Sequence, residues 1–279
     1  MKATTKNKLK SKCPHRLWKA MVSCYRFFER TGYRTAMVFG AKNMEYSCPC
    51  CGYKLKRFVE GEYRELPDFY EPSLFDNMPL DVCCPVCGSL PRHRILASWC
   101  EANKELLVSK RILYFAPERS MVRWLRNHKI SFTTADLFDV DTDLKLDIQA
   151  TGLADNSYDV VICNHVLEHV DDFMTALREV KRILAPGGIL ICSFPMSPDI
   201  EFVDEDKSIT TPEGRLMCYG QSDHVRLFGM KADRFITEAG FDVTFIDGGD
   251  YPSSIVPVTG PARYDINRLF LCKTGGADD

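Results

Sequence analysis

Strand-length apolar runs recur at residues 112–116, 130–135, 144–148, 158–163 and 188–194. Between them, apolar residues return every three to four positions, in one segment that ends near Asn127 and another over 172–184. Short buried runs alternating with helical periodicity predict βαβ units, and hence a parallel sheet with helices on both faces. Pro186-Gly187-Gly188 is expected to stop the long helix and turn the chain into the next strand. A last helix is expected over 231–239, with strands near Val243 and Leu269. Upstream the pattern changes. Leu17, Met21, Tyr25 and Phe28 share one helical face between basic residues, and Ile95, Trp99, Ala102 and Leu106 do the same over a connecting helix.

Between those two helices the chain carries a repeated signal, Cys48-Pro49-Cys50-Cys51-Gly52 and Cys84-Pro85-Val86-Cys87-Gly88. Each unit is a tight turn that aims two sulfurs to one side, and its terminal glycine can take the positive φ such a turn requires. Together Cys48, Cys51, Cys84 and Cys87 predict a closed four-thiolate zinc site of the zinc-ribbon type, structural because no coordination position is left open. Cys50 and Cys83 border the ligands as competitors, but only the chosen set keeps both turns alike. The 32 residues between Cys51 and Cys84 are expected to hold a hairpin and an irregular loop.

The length of 279 residues suits one α/β domain with a small attachment. The expected division is a basic segment over 1–47, a metal lobe over 48–92, a connecting helix over 93–110 and the larger domain over 111–279. A net charge of −2 excludes a whole-protein attraction to nucleic acid. The first 47 residues differ, with eleven Lys/Arg against Glu29 and Glu45, a balance of +9. That segment reads as a solvated tail and a surface helix, with phosphate or peripheral membrane contact as the alternative. Thirteen cysteines, odd in number and clustered, with no apolar signal segment after Met1, point to the reducing cytoplasm. No apolar run approaches the roughly 18 residues that cross a bilayer.

Three motifs carry a resemblance over about 111–273. They are Leu153-Ala154-Asp155-Asn156-Ser157-Tyr158-Asp159, Asn164-His165-Val166-Leu167-Glu168-His169 and Arg182-Ile183-Leu184-Ala185-Pro186-Gly187-Gly188. In this order the chain resembles the class I S-adenosylmethionine-dependent methyltransferases, in their bacterial type-11-like branch. The resemblance implies a Rossmann-like, mostly parallel seven-stranded sheet and S-adenosyl-L-methionine bound over the carboxyl ends of the strands. It places Asp136 on the ribose hydroxyls, Asp147 and Ile148 at the adenine, and Asn164 and His165 along the pocket. The departure is the first turn, where the family's Gly-x-Gly is replaced by Ala116-Pro117-Glu118. Ala116 permits close approach, Pro117 offers no N–H, and Glu118 is expected to compensate by binding the cofactor's ammonium.

The insertion over about 196–228 follows the fifth strand, where this fold places acceptor recognition. Within it, His224 is a candidate base, Asp223 its orienting partner, Gln221 a polar contact and Arg226 an anion clamp; pinning of the insertion to the core is the structural alternative. His165 is the second candidate base. The expected function is methyl transfer to a small or carbohydrate-like (glycan) acceptor, at oxygen. One alternative is an RNA methyltransferase that uses the metal lobe and basic N-terminus, although the loop after the fourth strand lacks the proline and aromatic that stack a base. Another is a non-catalytic adaptor, suggested by the irregular first turn.

Overall fold

The structure is a computed structural model that describes residues 27–28, 31–32, 35, 44–60, 81–139, 141–257 and 267–275. Nearly all of the basic segment and of the helix expected over 17–28 lies outside the described residues, as does the middle of the stretch between the two cysteine pairs.

The centre is a seven-stranded sheet. Its strands are β5 (Ile112–Phe115), β6 (Thr133–Asp136), β7 (Leu144–Lys145), β8 (Tyr158–Asn164), β9 (Leu184–Ser193), β13 (Asp242–Ile246) and β14 (Leu269–Lys273), in the order β13-β14-β9-β8-β5-β6-β7. Only β14 runs antiparallel to its neighbours. The mostly parallel sheet expected from the alternating pattern, Rossmann-like as the resemblance implied, is the architecture observed. Central strands of such a sheet are buried on both faces, which explains why β5 and most of β8 are unbroken apolar runs.

Two of the expected strands are shorter than their apolar runs. β6 begins only at Thr133, because Ile130 instead closes the preceding helix by donating its N–H to Leu125 O. In the run over 144–148 only Leu144 and Lys145 pair, since Asp147 enters a bridge with Ala150. The sequence Pro186-Gly187-Gly188 falls inside β9, where the register against β8 skips from Tyr158↔Leu184 to Val160↔Ile189. Gly188 is required there, because a Cβ would stand 2.7 Å from Ala185 O.

One face of the sheet is covered by α3 (Phe173–Ile183) and α5 (Asp233–Glu238), which bury Phe173, Ala176, Leu177, Val180, Ile183 and Ile236 against it. Asp172 caps α3 by accepting the Thr175 N–H at 2.9 Å. The other face receives α1 (Pro91–Ala102) and α2 (Arg119–Asn127). The cysteine-bearing hairpins lie on this face too: β1 (Tyr46–Cys48) pairs with β2 (Tyr53–Leu55), and β3 (Val59–Glu60) with β4 (Asp81–Cys83). Cys48, Cys50, Leu55, Phe58, Cys84 and Val86 share one apolar cluster with Ile95, Trp99, Tyr114 and Trp124. The cysteine clip is therefore built into the core beside the sheet. The insertion after β9 forms a small sheet of β10 (Met196–Ser197), β11 (Val203–Asp204) and β12 (Leu227–Gly229), with α4 (Pro212–Tyr219). Among the described residues no helix is long and apolar enough to cross a membrane.

Candidate functional site

Strand order reverses between β5 and β8: the chain leaves β5 toward β6 on one side and β8 toward β9 on the other. At such a switch point the crossover loops part and open a crevice at the carboxyl ends. The registers Phe115↔Ala135, Phe115↔Cys163 and Asn164↔Ser193 bring Ala116, Asp136, Asn164 and His165 to that one rim. Ala116 and His165 extend the ladders, donating N–H to Ala135 O at 2.9 Å and to Ser193 O at 2.8 Å.

Both then turn through left-handed backbone, φ 45° at Ala116 and 53° at His165. A side chain there costs about 1–2 kcal/mol. Strain of this kind concentrates at functional turns. Ala116 thus adopts the backbone that the missing glycine of the first turn would have supplied.

Glu118 does not lie open. Its Oε1 accepts from Arg92 Nε at 3.1 Å and Nη2 at 3.0 Å, and from His93 Nε2, while Oε2 stands 3.5 Å from the Tyr114 hydroxyl. His93 Nδ1 accepts the Leu90 N–H at 2.8 Å, so the ring is neutral and its proton sits on Nε2. Burial favours that neutral form. Burial also pushes the Glu118 carboxyl up, but His93 and the Arg92 guanidinium outweigh it and hold the group far below the usual carboxylate range. Arg92 and His93 were not singled out in the sequence; their signal is the Pro91-Arg92-His93 run that starts a helix directly after the second cysteine pair.

Asp136 Oδ1 caps the following turn, accepting from the Phe138 and Asp139 N–H groups at 2.7 and 2.8 Å. That turn exposes Leu137 and Phe138, the latter 84% exposed, beside the carboxylate. Asp147 Oδ1 accepts the Gln149 N–H at 2.8 Å, and Ile148 is buried. Asn164 is buried, its Oδ1 accepting from the Ser193 hydroxyl at 3.0 Å. Pro117 lies with Asp139 and Asp141 along a hollow beside α2.

The insertion differs from expectation. Arg226 is 1% exposed, and its guanidinium donates to Leu167 O at 2.7 Å, Asp171 O at 2.8 Å, Val170 O and Glu205 Oε2 at 3.0 Å. With every face engaged, Arg226 pins the loop after β8 and is closed to an acceptor anion. Asp223 is not the partner of His224. It faces His169, whose Nδ1 lies 3.2 Å from Asp223 O and 3.6 Å from its Oδ2. His224 is 2% exposed, its Nδ1 donating to Tyr219 O at 2.9 Å and its Nε2 meeting the Gln221 amide at 2.8 Å. Burial keeps this imidazole neutral by pushing its pKa down. As placed, His224 cannot reach an acceptor. Its neighbours are Glu168 and His169, which the sequence reading passed over although both stand in the quoted motif.

In the clip, Sγ of Cys48 lies 3.6 Å from that of Cys87, and Cys51 3.8 Å from Cys84. Four sulfurs about 2.3 Å from a zinc ion at tetrahedral angles stand about 3.8 Å apart. The two turns match: Gly52 N–H bonds Cys48 O at 2.8 Å with φ 75°, and Gly88 N–H bonds Cys84 O at 2.9 Å with φ 76°. Cys50 falls outside the four-sulfur group, its thiol donating to His93 O at 3.3 Å. Arg94, fully buried, donates to Ser89 O and Ile255 O and lies 4.0 Å over the Phe58 ring. Its Nη2 finds no partner among the described residues, while the cysteine set acts on it electrostatically. A buried guanidinium suits a site whose four thiolates outweigh a divalent ion.

A family profile described as a methyltransferase domain matches residues 101–192, about a third of the chain. The uncharacterized protein YafE of Escherichia coli is 53% identical over 50 residues, 18% of this chain and 24% of that protein. A demethylmenaquinone methyltransferase of Listeria monocytogenes is 38% identical over 68 residues, 24% of this chain and 28% of its own. The chain thus spans about a quarter of the length of these curated relatives. Among solved structures, the [4+2]-cyclase SpnF superposes with a TM-score of 0.49 at 16% identity, over 66% of this chain and 82% of that one.

Proposed function

We propose that this protein is an S-adenosylmethionine-dependent methyltransferase that binds its cofactor across the carboxyl ends of β5, β6, β7 and β8 and methylates a small or carbohydrate-like acceptor at oxygen. The observation that carries the reading is the pair of left-handed, non-glycine turns at Ala116 and His165, on adjacent strands at the switch point. The methyltransferase-domain match over 101–192 spans both turns.

Asp136 uses Oδ1 for its own turn, leaving Oδ2 for ribose hydroxyls, with Leu137 and Phe138 as apolar cover for the base. Asp147 receives the adenine amino group beside Ile148. Glu118, neutralised through Oε1, offers Oε2 to the ammonium. The cofactor supplies an electrophilic methyl on sulfonium. The chain orients the acceptor oxygen in line with it and takes the hydroxyl proton. His165 is the group for that proton: its side chain is 17% exposed at the rim, and its Nδ1 stands 3.3 Å from Glu168 Oε1. Cys48, Cys51, Cys84 and Cys87 would hold a structural zinc ion, closed to chemistry.

Calorimetric titration with S-adenosylhomocysteine tests the reading. One site per chain is expected, weakened in Asp136→Ala, together with methyl transfer to hydroxyl acceptors that His165→Ala abolishes while cofactor binding stays intact. No binding of the cofactor product by folded, metal-loaded protein would end the proposal.

A further inference from the structure

Glu168 is completely buried, and neither of its carboxylate oxygens has a hydrogen-bond partner among the described residues. A desolvated carboxylate left in that state costs several kcal/mol unless a positive charge meets it. The groups around it are three imidazoles. His165 Nδ1 stands 3.3 Å and His169 Nε2 4.0 Å from Glu168 Oε1. The His169 and His224 rings meet edge to face with centroids 4.7 Å apart.

The tautomers of His169 and His224 follow from their other nitrogens. A backbone carbonyl can only accept, so Nδ1 of His169 donates to Asp223 O and Nδ1 of His224 donates to Tyr219 O. In each neutral ring the lone pair therefore sits on Nε2. His169, with its far N–H held by a backbone carbonyl and its Nε2 turned toward Glu168, has the arrangement found around metal-bound histidines; in His224 the Nε2 lone pair accepts the Gln221 amide at 2.8 Å, a contact that a bound cation would replace. One ligand atom from each of Glu168, His169 and His224 lies within 4.8 Å of the other two. A cation drawing them in by about 1 Å reaches ordinary bond lengths near 2.1 Å.

We propose that Glu168, His169 and His224 form a second metal centre, separate from the cysteine clip, which holds one first-row divalent cation at the rim of the cleft. Two imidazoles and one carboxylate suit zinc, manganese, iron or cobalt, and leave coordination positions open. Glu168 and His224 close the inner side, whereas His169, 32% exposed, and His165 border the accessible side. An acceptor hydroxyl bound at an open position would lie beside His165. That use rests on the methyl-transfer reading; the existence of the centre does not.

The test uses the full chain with its clip metal left in place. Mn²⁺, a hard ion with little affinity for thiolates, is titrated and the free-ion signal followed by electron paramagnetic resonance. One ion bound per chain is expected, with affinity reduced about 100-fold or more in Glu168→Gln and in His224→Ala. Because removal of a buried group can disturb folding, His169→Ala, at a partly exposed position, is measured alongside and is expected to show the same loss with an unchanged circular dichroism spectrum. Binding of S-adenosylhomocysteine is recorded separately. Mn²⁺ bound without cofactor product keeps the centre and removes the methyl-transfer reading. No Mn²⁺ bound by the wild type, or equal binding by all three variants, overturns the centre.

Discussion

Two groups of ligand-type side chains converge in this molecule, and they differ in nearly every physical respect. The cysteine clip is closed, made of four sulfurs from two matching turns, and embedded in the apolar cluster that α1 and α2 share with the sheet. The Glu168 group is open on one side, mixes oxygen and nitrogen, and is assembled from the loop after β8 and an insertion some 55 residues further on. The clip's hydrogen bonds are local and repeat between its halves. Those of the second group both run to carbonyls of the insertion, Tyr219 and Asp223, and the one from His169 crosses 54 residues to reach it. The first arrangement secures a fold, while the second leaves room for a ligand.

The largest effect that would break this contrast concerns the clip. Cys84→Ser, or removal of metal by a chelator, is expected to abolish the cooperative thermal transition of the native protein, since structural zinc sites of this kind contribute on the order of 10 kcal/mol. A variant that keeps its transition and its metal content would make the clip dispensable. Next comes His165→Ala, with an expected loss of about 100-fold or more in turnover at unchanged melting temperature. Equal losses in cofactor binding and turnover would instead mark His165 as part of the pocket wall.

Glu118→Gln sits between the two regions and sharpens where one ends. It should weaken binding of S-adenosylhomocysteine by about tenfold to a hundredfold, the worth of a charge-assisted hydrogen bond. It should also change the acid limb of stability. The Glu118 carboxyl is held below its ordinary value in the folded protein. Its contribution is therefore fully present above the unfolded pKa and is lost as pH falls through the lowered folded value. Urea unfolding from neutral pH downward should show a shallower loss in the variant; parallel curves would show that the Arg92 pair carries no stability. The smallest effect is expected of Ala116→Gly, which relieves the left-handed turn and should stabilise by about 1 kcal/mol in thermal unfolding.

What was legible in the sequence follows the same division. The alternation of apolar runs was enough for the sheet, because buried parallel strands and amphipathic helices each impose their period on the chain. The Cys48, Cys51, Cys84 and Cys87 set could be read because each half lies within four residues. Arg226 could not, since an arginine spent on backbone carbonyls looks in sequence like one facing solvent. The pairing of Asp223 with His169, and of His224 with Tyr219 O, depends on how α4 and the loop behind it fold back, which no local spacing encodes. Glu168 was hidden for another reason. It sits in a familiar motif, and only its complete burial without a donor sets it apart.

Arg92 and His93 follow Cys87 by five and six residues, at the start of α1, and both grip Glu118 at the first turn of the sheet. Less than two helical turns of chain separate the last sulfur from the carboxylate's partners. Any warping of the clip is delivered to that turn with almost no slack to absorb it. A shortage of metal would thus be felt at Glu118 and the first turn before the sheet itself came apart.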